Sequence, residues 1–224
     1  MIHYFGMPYR RTKKMESRLA ERRAQILVAA RSLVAEAGYR AVSVPAVAKR
    51  AGVSTGLIYN YFDSKAVLFD EVFRSATEQE IEACEAAARQ PGSARERIGY
   101  VIETFAYRAL AARQLAWALL AEPVETEIEQ DRLRFRAPYR RIFAALIREG
   151  IDNGEIIDQD EDVVAAAMVG GVVEALIGPL SAPPEVGDAD RLIHTIISYC
   201  TNALGPMPEP NARQHTLGMG SDHD

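Results

Sequence analysis

The stretch Gly52-Val53-Ser54-Thr55-Gly56-Leu57-Ile58-Tyr59-Asn60-Tyr61-Phe62-Asp63-Ser64-Lys65 decides how this 224-residue chain is read. Gly52 supplies a tight turn, Val53 an apolar wedge behind it, and Ser54 a hydroxyl placed to cap a short helix over Thr55 to Phe62. On that helix Ile58 and Phe62 stand four residues apart, so both point to one side. Asp63 breaks the helix and Ser64 caps the next. The pattern is a helix-turn-helix whose small and hydroxyl-bearing groups face away from the buried pair.

The sequence on either side agrees. From Ser17 to Ala37, Leu19, Ile26, Leu27, Ala30, Leu33 and Val34 recur on one helical face, and Gly38 ends the run as a left-handed cap. Ser43 caps a second short helix, in which Pro45 is tolerated because the amide it lacks would be unpaired in the first turn. Its Val47, Ala48 and Ala51 face inward. After Ser64, the residues Val67, Leu68, Val72 and Phe73 carry an apolar face out of this small unit, and continuation to about Gln90 would make a rigid connector. Pro91-Gly92-Ser93 then ends it. Longer helices follow: Ala94 to Ala121, either unbroken or interrupted near Ala111, then Glu125 to Asn153, Asp160 to Leu180 with Gly178-Pro179 near its end, and Asp188 to Leu204. Without any alternating strand pattern the fold class is all-α. The chain divides into a basic arm at 1–14, a helix-turn-helix domain at 15–63, a connector and larger helical domain at 64–204, and a Pro- and Gly-rich tail at 205–224.

Charge separates along the same lines. Residues 1–75 hold 13 Lys and Arg against 6 Asp and Glu, a balance of +7, whereas residues 76–224 hold 13 against 25, a balance of −12. Positive charge is therefore concentrated where a polyanion would meet it. Cys84 and Cys200 are too far apart for a disulfide framework and lack metal-ligand spacing. No phosphate-cradling glycine loop, helix-borne histidine pair or paired nucleophile is present, so no enzyme, cofactor or metal is expected. Neither a signal peptide nor a long uncharged apolar run appears, which points to a cytoplasmic protein without a membrane partner.

The short third helix suits a DNA groove. Gly56 leaves room for close backbone approach, Thr55 reaches a base edge or phosphate, and Tyr59 a phosphate or thymine methyl. Asn60 and Tyr61 flank it, the Tyr61 ring divided between backbone contact and core. Ser43, Ser54 and Lys65 lie at helix N-termini, where free amides already favour an anion. Arg40 and Arg50 are either phosphate contacts or solvated, and Arg10, Arg11, Lys13 and Lys14 either a minor-groove arm or a plain tail.

Residues 52–65 resemble the recognition-helix signature of the TetR/AcrR family of transcriptional regulators, and the agreement extends over about Arg18 to Phe73. Two departures are modest: Pro45 is less usual near the start of the second helix, and Ala66 stands where the family often has an acidic residue. The resemblance implies a homodimeric repressor on a palindromic double-stranded operator, released by a small-molecule effector. It places the dimer interface on the last two long helices, where Val172, Leu176, Ile193 and Ile197 are candidates and Gly170-Gly171 permits close approach. It also implies a pocket between the connector and the middle helices. Tyr100, Phe105, Tyr107, Trp117 and Leu120 are candidate lining residues, with Glu103, Arg108, Arg113 and Glu122 as polar candidates. The acidic run from Glu122 through Glu125, Glu127 and Glu129 otherwise reads as an exposed helix start. The rival readings are a ligand-independent DNA-binding dimer and an all-α enzyme.

Overall fold

The computed structural model describes residues 13–123, 126–181 and 189–206. The described residues form α1 (Lys13–Ala37), α2 (Val44–Ala51), α3 (Thr55–Tyr59), α4 (Lys65–Ala88), α5 (Ala94–Ala111), α6 (Arg113–Leu120), α7 (Thr126–Asp152), α8 (Glu161–Ser181) and α9 (Ala189–Asn202), with no strand among them. The fold is all-α, as the apolar periodicity requires. The interruption near Ala111 is real: the amide of Ala112 still bonds Arg108, but its backbone leaves the helical region at φ −115°, ψ 47°.

Three boundaries differ from the sequence reading. Helix α1 already includes Lys13 and Lys14, while the remainder of the basic arm and residues 207–224 lie outside the described residues. Helix α3 stops at Tyr59, because Asn60 and Tyr61 bond back three residues, to Leu57 at 3.1 Å and Ile58 at 2.9 Å. Phe62 is nonetheless fully buried, so the apolar pair keeps its role. Helix α8 runs through Pro179 to Ser181, since a proline in the last turn forfeits one amide bond without ending the helix.

Two apolar cores result. The head, α1 to α3 with the first half of α4, packs Ile26, Val34, Val47, Ile58 and Phe62 against Leu68, Phe69, Val72 and Phe73. Val67, expected on that face, is exposed, and Phe69 is buried instead. The larger core gathers Ile98, Ile102, Phe143, Ile147, Val172, Leu176 and Ile193 from α5 and α7 to α9. Helix α8 is long and apolar enough to cross a membrane, yet its Ala165, Met168, Val172 and Leu176 are packed inside this core.

Two helices belong to both cores. Cys84 and Ala87 carry α4 into the larger core, while Leu115 and Ala118 of α6 enter the head's core and Ala116 stays in the larger one. Apolar burial of this kind is worth about 25 cal/mol per Å², so the head cannot detach without exposing the α6 wedge.

Candidate nucleic-acid interface and internal cavity

Helices α2, α3 and α4 are each started by a serine. The Oγ of Ser43 accepts the amide of Ala46 at 3.3 Å, that of Ser54 accepts Leu57 at 3.1 Å, and that of Ser64 accepts Val67 at 3.1 Å. Such a cap is worth about 1 kcal/mol and leaves the hydroxyl proton available to a second acceptor. Gly52 takes φ 66° and donates to Lys49 at 3.3 Å, which turns the chain from α2 into α3.

With Ile58 and Phe62 inside, Gly56, Tyr59 and Asn60 come to the surface, Tyr59 being 49% exposed. A methyl at Gly56 would meet nothing within 4 Å. Thr55 is half-buried beside them, and Ser43 and Ser54 are exposed. Tyr61 borders a groove with Arg18, Leu19, Arg22 and Leu57, so α1 holds part of its ring. Lys65 is half-buried, its ammonium 4.5 Å from the ring centroid of Tyr39 and 5.6 Å from that of Phe69. Arg50 makes paired bonds to the carboxylate of Glu36 at 2.7 and 2.8 Å and a third to Ser32 at 2.9 Å. The Arg50 hydrogen bonds, then that of Ser32, hold the Glu36 carboxyl down at about 2. Arg50 is therefore committed to α1, while the Arg40 side chain is exposed.

Below the head, α4 to α8 line two adjoining chambers, each partly open to solvent. The outer one holds about 660 Å³ of unfilled space, part of it open to solvent, between Thr77, Glu80, Phe105, Arg108, Leu115, Leu119, Phe135 and Tyr139. The inner one, about 420 Å³ of unfilled space that is likewise partly open to solvent, runs between Cys84, Val101, Ile102, Phe143, Val169, Val172 and Val173. Phe105, Leu120, Arg136 and Tyr139 border both. Glu80 and Arg108 form a two-bond ion pair in the outer wall, at 2.6 and 2.9 Å. Arg136 makes no hydrogen bond or ion pair among the described residues. Burial pushes the Cys84 thiol up to about 12 and, first among its causes, raises the Tyr139 phenol as well, so both remain neutral near pH 7.

Of the candidate lining residues, Phe105, Leu120 and Arg108 reach this cavity. Tyr100, Glu103 and Tyr107 do not: they share the solvent face of α5, where Tyr107 donates to Asp190 of α9. Trp117 packs against the larger core, because the faces of α6 toward the cavity are taken by Leu115, Ala116, Leu119 and Leu120. Arg113 bonds the Pro179 carbonyl. Helical spacing identified the apolar residues but not which side the neighbouring helices would cover.

The single chain places the four interface candidates as follows. Val172, Leu176 and Ile193 are buried within the single chain, and Ile197 is half-buried, packed beside Gly99. The outward residues include Val163, Ala167, Gly170, Glu174 and Gly178 on α8, with His194 and Tyr199 on α9. Tyr199, 68% exposed, leans over Gly171, where an added methyl would stand 3.5 Å from its ring.

Glu122 overturns the expectation of an exposed helix start. It is buried, and its carboxylate accepts the amides of Tyr39 at 2.8 Å and Arg40 at 2.9 Å. The side chains of Glu125, Glu127 and Glu129 lie outside the described residues. The one sequence signal for the Glu122 contact was Gly38, whose left-handed φ of 78° turns those amides outward.

Two family patterns match the chain, that of bacterial regulatory proteins of the tetR family over residues 26–72 and that of the tetracyclin repressor-like C-terminal domain over residues 91–176. The fatty acid metabolism regulator protein of Bacillus subtilis is 30% identical over 160 residues, which are 68% of this chain and 80% of that protein. The structure of the transcriptional regulator FadR from Bacillus subtilis in complex with stearoyl-CoA superposes with a TM-score of 0.68 at 25% identity, covering 80% of this chain and 97% of that one. The fatty acid degradation regulator FadR from Bacillus halodurans, at 20% identity, shares the fold with a TM-score of 0.69 over 80% of this chain and 94% of that one.

Proposed function

The chain belongs to the tetR family of bacterial regulatory proteins, and from that premise we propose a dimeric repressor that releases a palindromic operator when an anionic long-chain acyl compound fills its cavity. It is a DNA-binding transcription regulator. The outward face of α3 carries the DNA reading: Gly56 and Tyr59 project where no internal packing needs them, while Ser43, Ser54, Thr55, Asn60, Tyr61 and Lys65 surround them with donors for phosphate. One head covers few phosphates, so two heads about 34 Å apart would share a site. We place their dimer contact on the outward stripe of α8 and α9, which would cover the apolar face of α8 left open by the single chain.

The effector class is supported by the division of the cavity into an apolar inner chamber and an outer one bordered by Arg136 and the Glu80–Arg108 pair. An acyl chain suits the first and an anionic head the second. The relatives named for fatty acid metabolism, one of them holding stearoyl-CoA, point the same way. Such a regulator would act in the cytoplasm, where bacterial DNA lies.

Selection of bound fragments from random-sequence duplex DNA tests the reading. An inverted repeat should emerge, and stearoyl-CoA should release it where coenzyme A alone does not. Enrichment of no sequence would sink the operator assignment. Operator binding indifferent to acyl compounds would remove the effector class and leave the DNA-binding regulator standing.

A further inference from the structure

A carboxylate withdrawn from water is costly unless hydrogen bonds meet its charge. Glu122 is 6% exposed, and the amides of Tyr39 and Arg40 meet it at 2.8 and 2.9 Å. Gly38 makes the room: its φ of 78° suits glycine, and a methyl there would stand 3.2 Å from one carboxylate oxygen. On its own side Glu122 is equally constrained. Its amide and that of Ala121 both donate to the Trp117 carbonyl at 2.9 Å, which winds the chain tightly onto the end of α6. That helix is also the cavity wall that carries Leu119 and Leu120.

Tyr39 connects this contact to the reading surface. Its buried ring meets Phe69 edge-on with centroids 5.0 Å apart and Phe73 at 5.7 Å, and Lys65 stands 4.5 Å over it. Lys65 opens α4. A single residue therefore spans from a carboxylate just beyond the cavity helix to the first turn of α4.

We propose that Glu122 is the positioning residue that sets the attitude of the DNA-binding head on the larger domain, and through it the affinity for the operator. The α6 wedge of Leu115 and Ala118 is apolar, and apolar contact is non-directional, so it holds the head close without choosing its angle. Two short bonds from one carboxylate to adjacent amides do choose it, because charge-assisted hydrogen bonds are directional and strong. The affinity part rests on the DNA-binding reading above; the positioning part does not, and neither needs the acyl effector.

The test uses the full chain. Lys49 and Asn202 are exposed, one on the head and one on the larger domain, whereas Cys84 and Cys200 are buried. Spin labels on Lys49→Cys and Asn202→Cys, diluted with unlabelled chain, report the head-to-body distance by pulsed dipolar spectroscopy. Glu122→Gln keeps the size of the side chain but turns an NH2 toward one of the two amides, donor against donor. Glu122→Ala removes both bonds. Each should broaden or displace the distance distribution while circular dichroism shows a folded chain. Each, without labels, should also weaken binding to the selected operator about tenfold, a typical coupling between sites. A lower melting temperature with an unmoved distribution would overturn the proposal, since a purely stabilising carboxylate would behave that way. A displaced head with parental operator affinity would overturn it too. Should no operator be found, the functional reading fails while the distance measurement still decides the positioning claim.

Discussion

The head and the larger domain are built from the same element and differ in what their helices have left over after packing. In the head, α2 and α3 span Val44–Ala51 and Thr55–Tyr59, each begun by a serine hydroxyl, with the left-handed Gly52 between them. Helices that short bury one side only, so the other side faces outward. The helices of the larger domain run up to the 27 residues of α7 and pack against several neighbours at once, so no residue's direction follows from its own helix. The proposed function of the head lies on a surface; that proposed for the larger domain lies in gaps between side chains.

That contrast can be broken most severely from inside the head. Phe69→Ala should cost about 3–5 kcal/mol, because it empties a fully buried site beneath Tyr39. Denaturant unfolding would show it. A loss under about 1 kcal/mol would mean that the head's core is looser than its packing implies.

Gly56→Asp separates surface from core. A Cβ at this exposed position meets no atom within 4 Å, so melting should hardly change, yet a negative group on the face of α3 should lower operator affinity at least about 100-fold, or ~2.7 kcal/mol. Anisotropy titration at fixed salt would measure it, and parental affinity would move the DNA surface elsewhere. Leu120→Trp sharpens the other half of the comparison. By crowding the wall that both chambers share it should raise the stearoyl-CoA concentration needed for release about tenfold, with operator affinity kept. Equal release would place the effector outside this cavity.

Two smaller effects follow from titration. The Cys84 thiol, pushed up to about 12 by burial, should react with alkylating reagents far more slowly than a free thiol at pH 8, and stearoyl-CoA should slow it further by occupying the inner chamber. Mass spectrometry of the labelled chain would decide; rapid modification would show that the chamber opens. Glu36, held at about 2 by Arg50 and Ser32, is a depressed carboxyl. Its contribution to stability is present above the ordinary carboxylate value near 4.5 and is lost as pH falls through about 2. Melting followed over that interval should decline less steeply in Arg50→Met, and identical slopes would discharge the pair of any such role. Both partners are exposed, so the effect is small.

The sequence by itself determined the fold class, the turn and the caps of the helix-turn-helix, and the outward set of Gly56, Tyr59 and Asn60. Each of these depends on interactions within a few residues: a hydroxyl reaching an amide three positions on, a glycine at positive φ, an apolar pair one turn apart. Only the tertiary structure decided that Tyr107 bonds α9 while Phe105, two residues away, lines the cavity. It likewise decided that Leu176 is core and Tyr199 surface, although both lie on apolar helices. Glu122 is the clearest case. One carboxylate in an acidic run looks solvated until a loop 82 residues earlier in the chain brings its amides to meet it, because burial of a charge is set by which groups surround it in space.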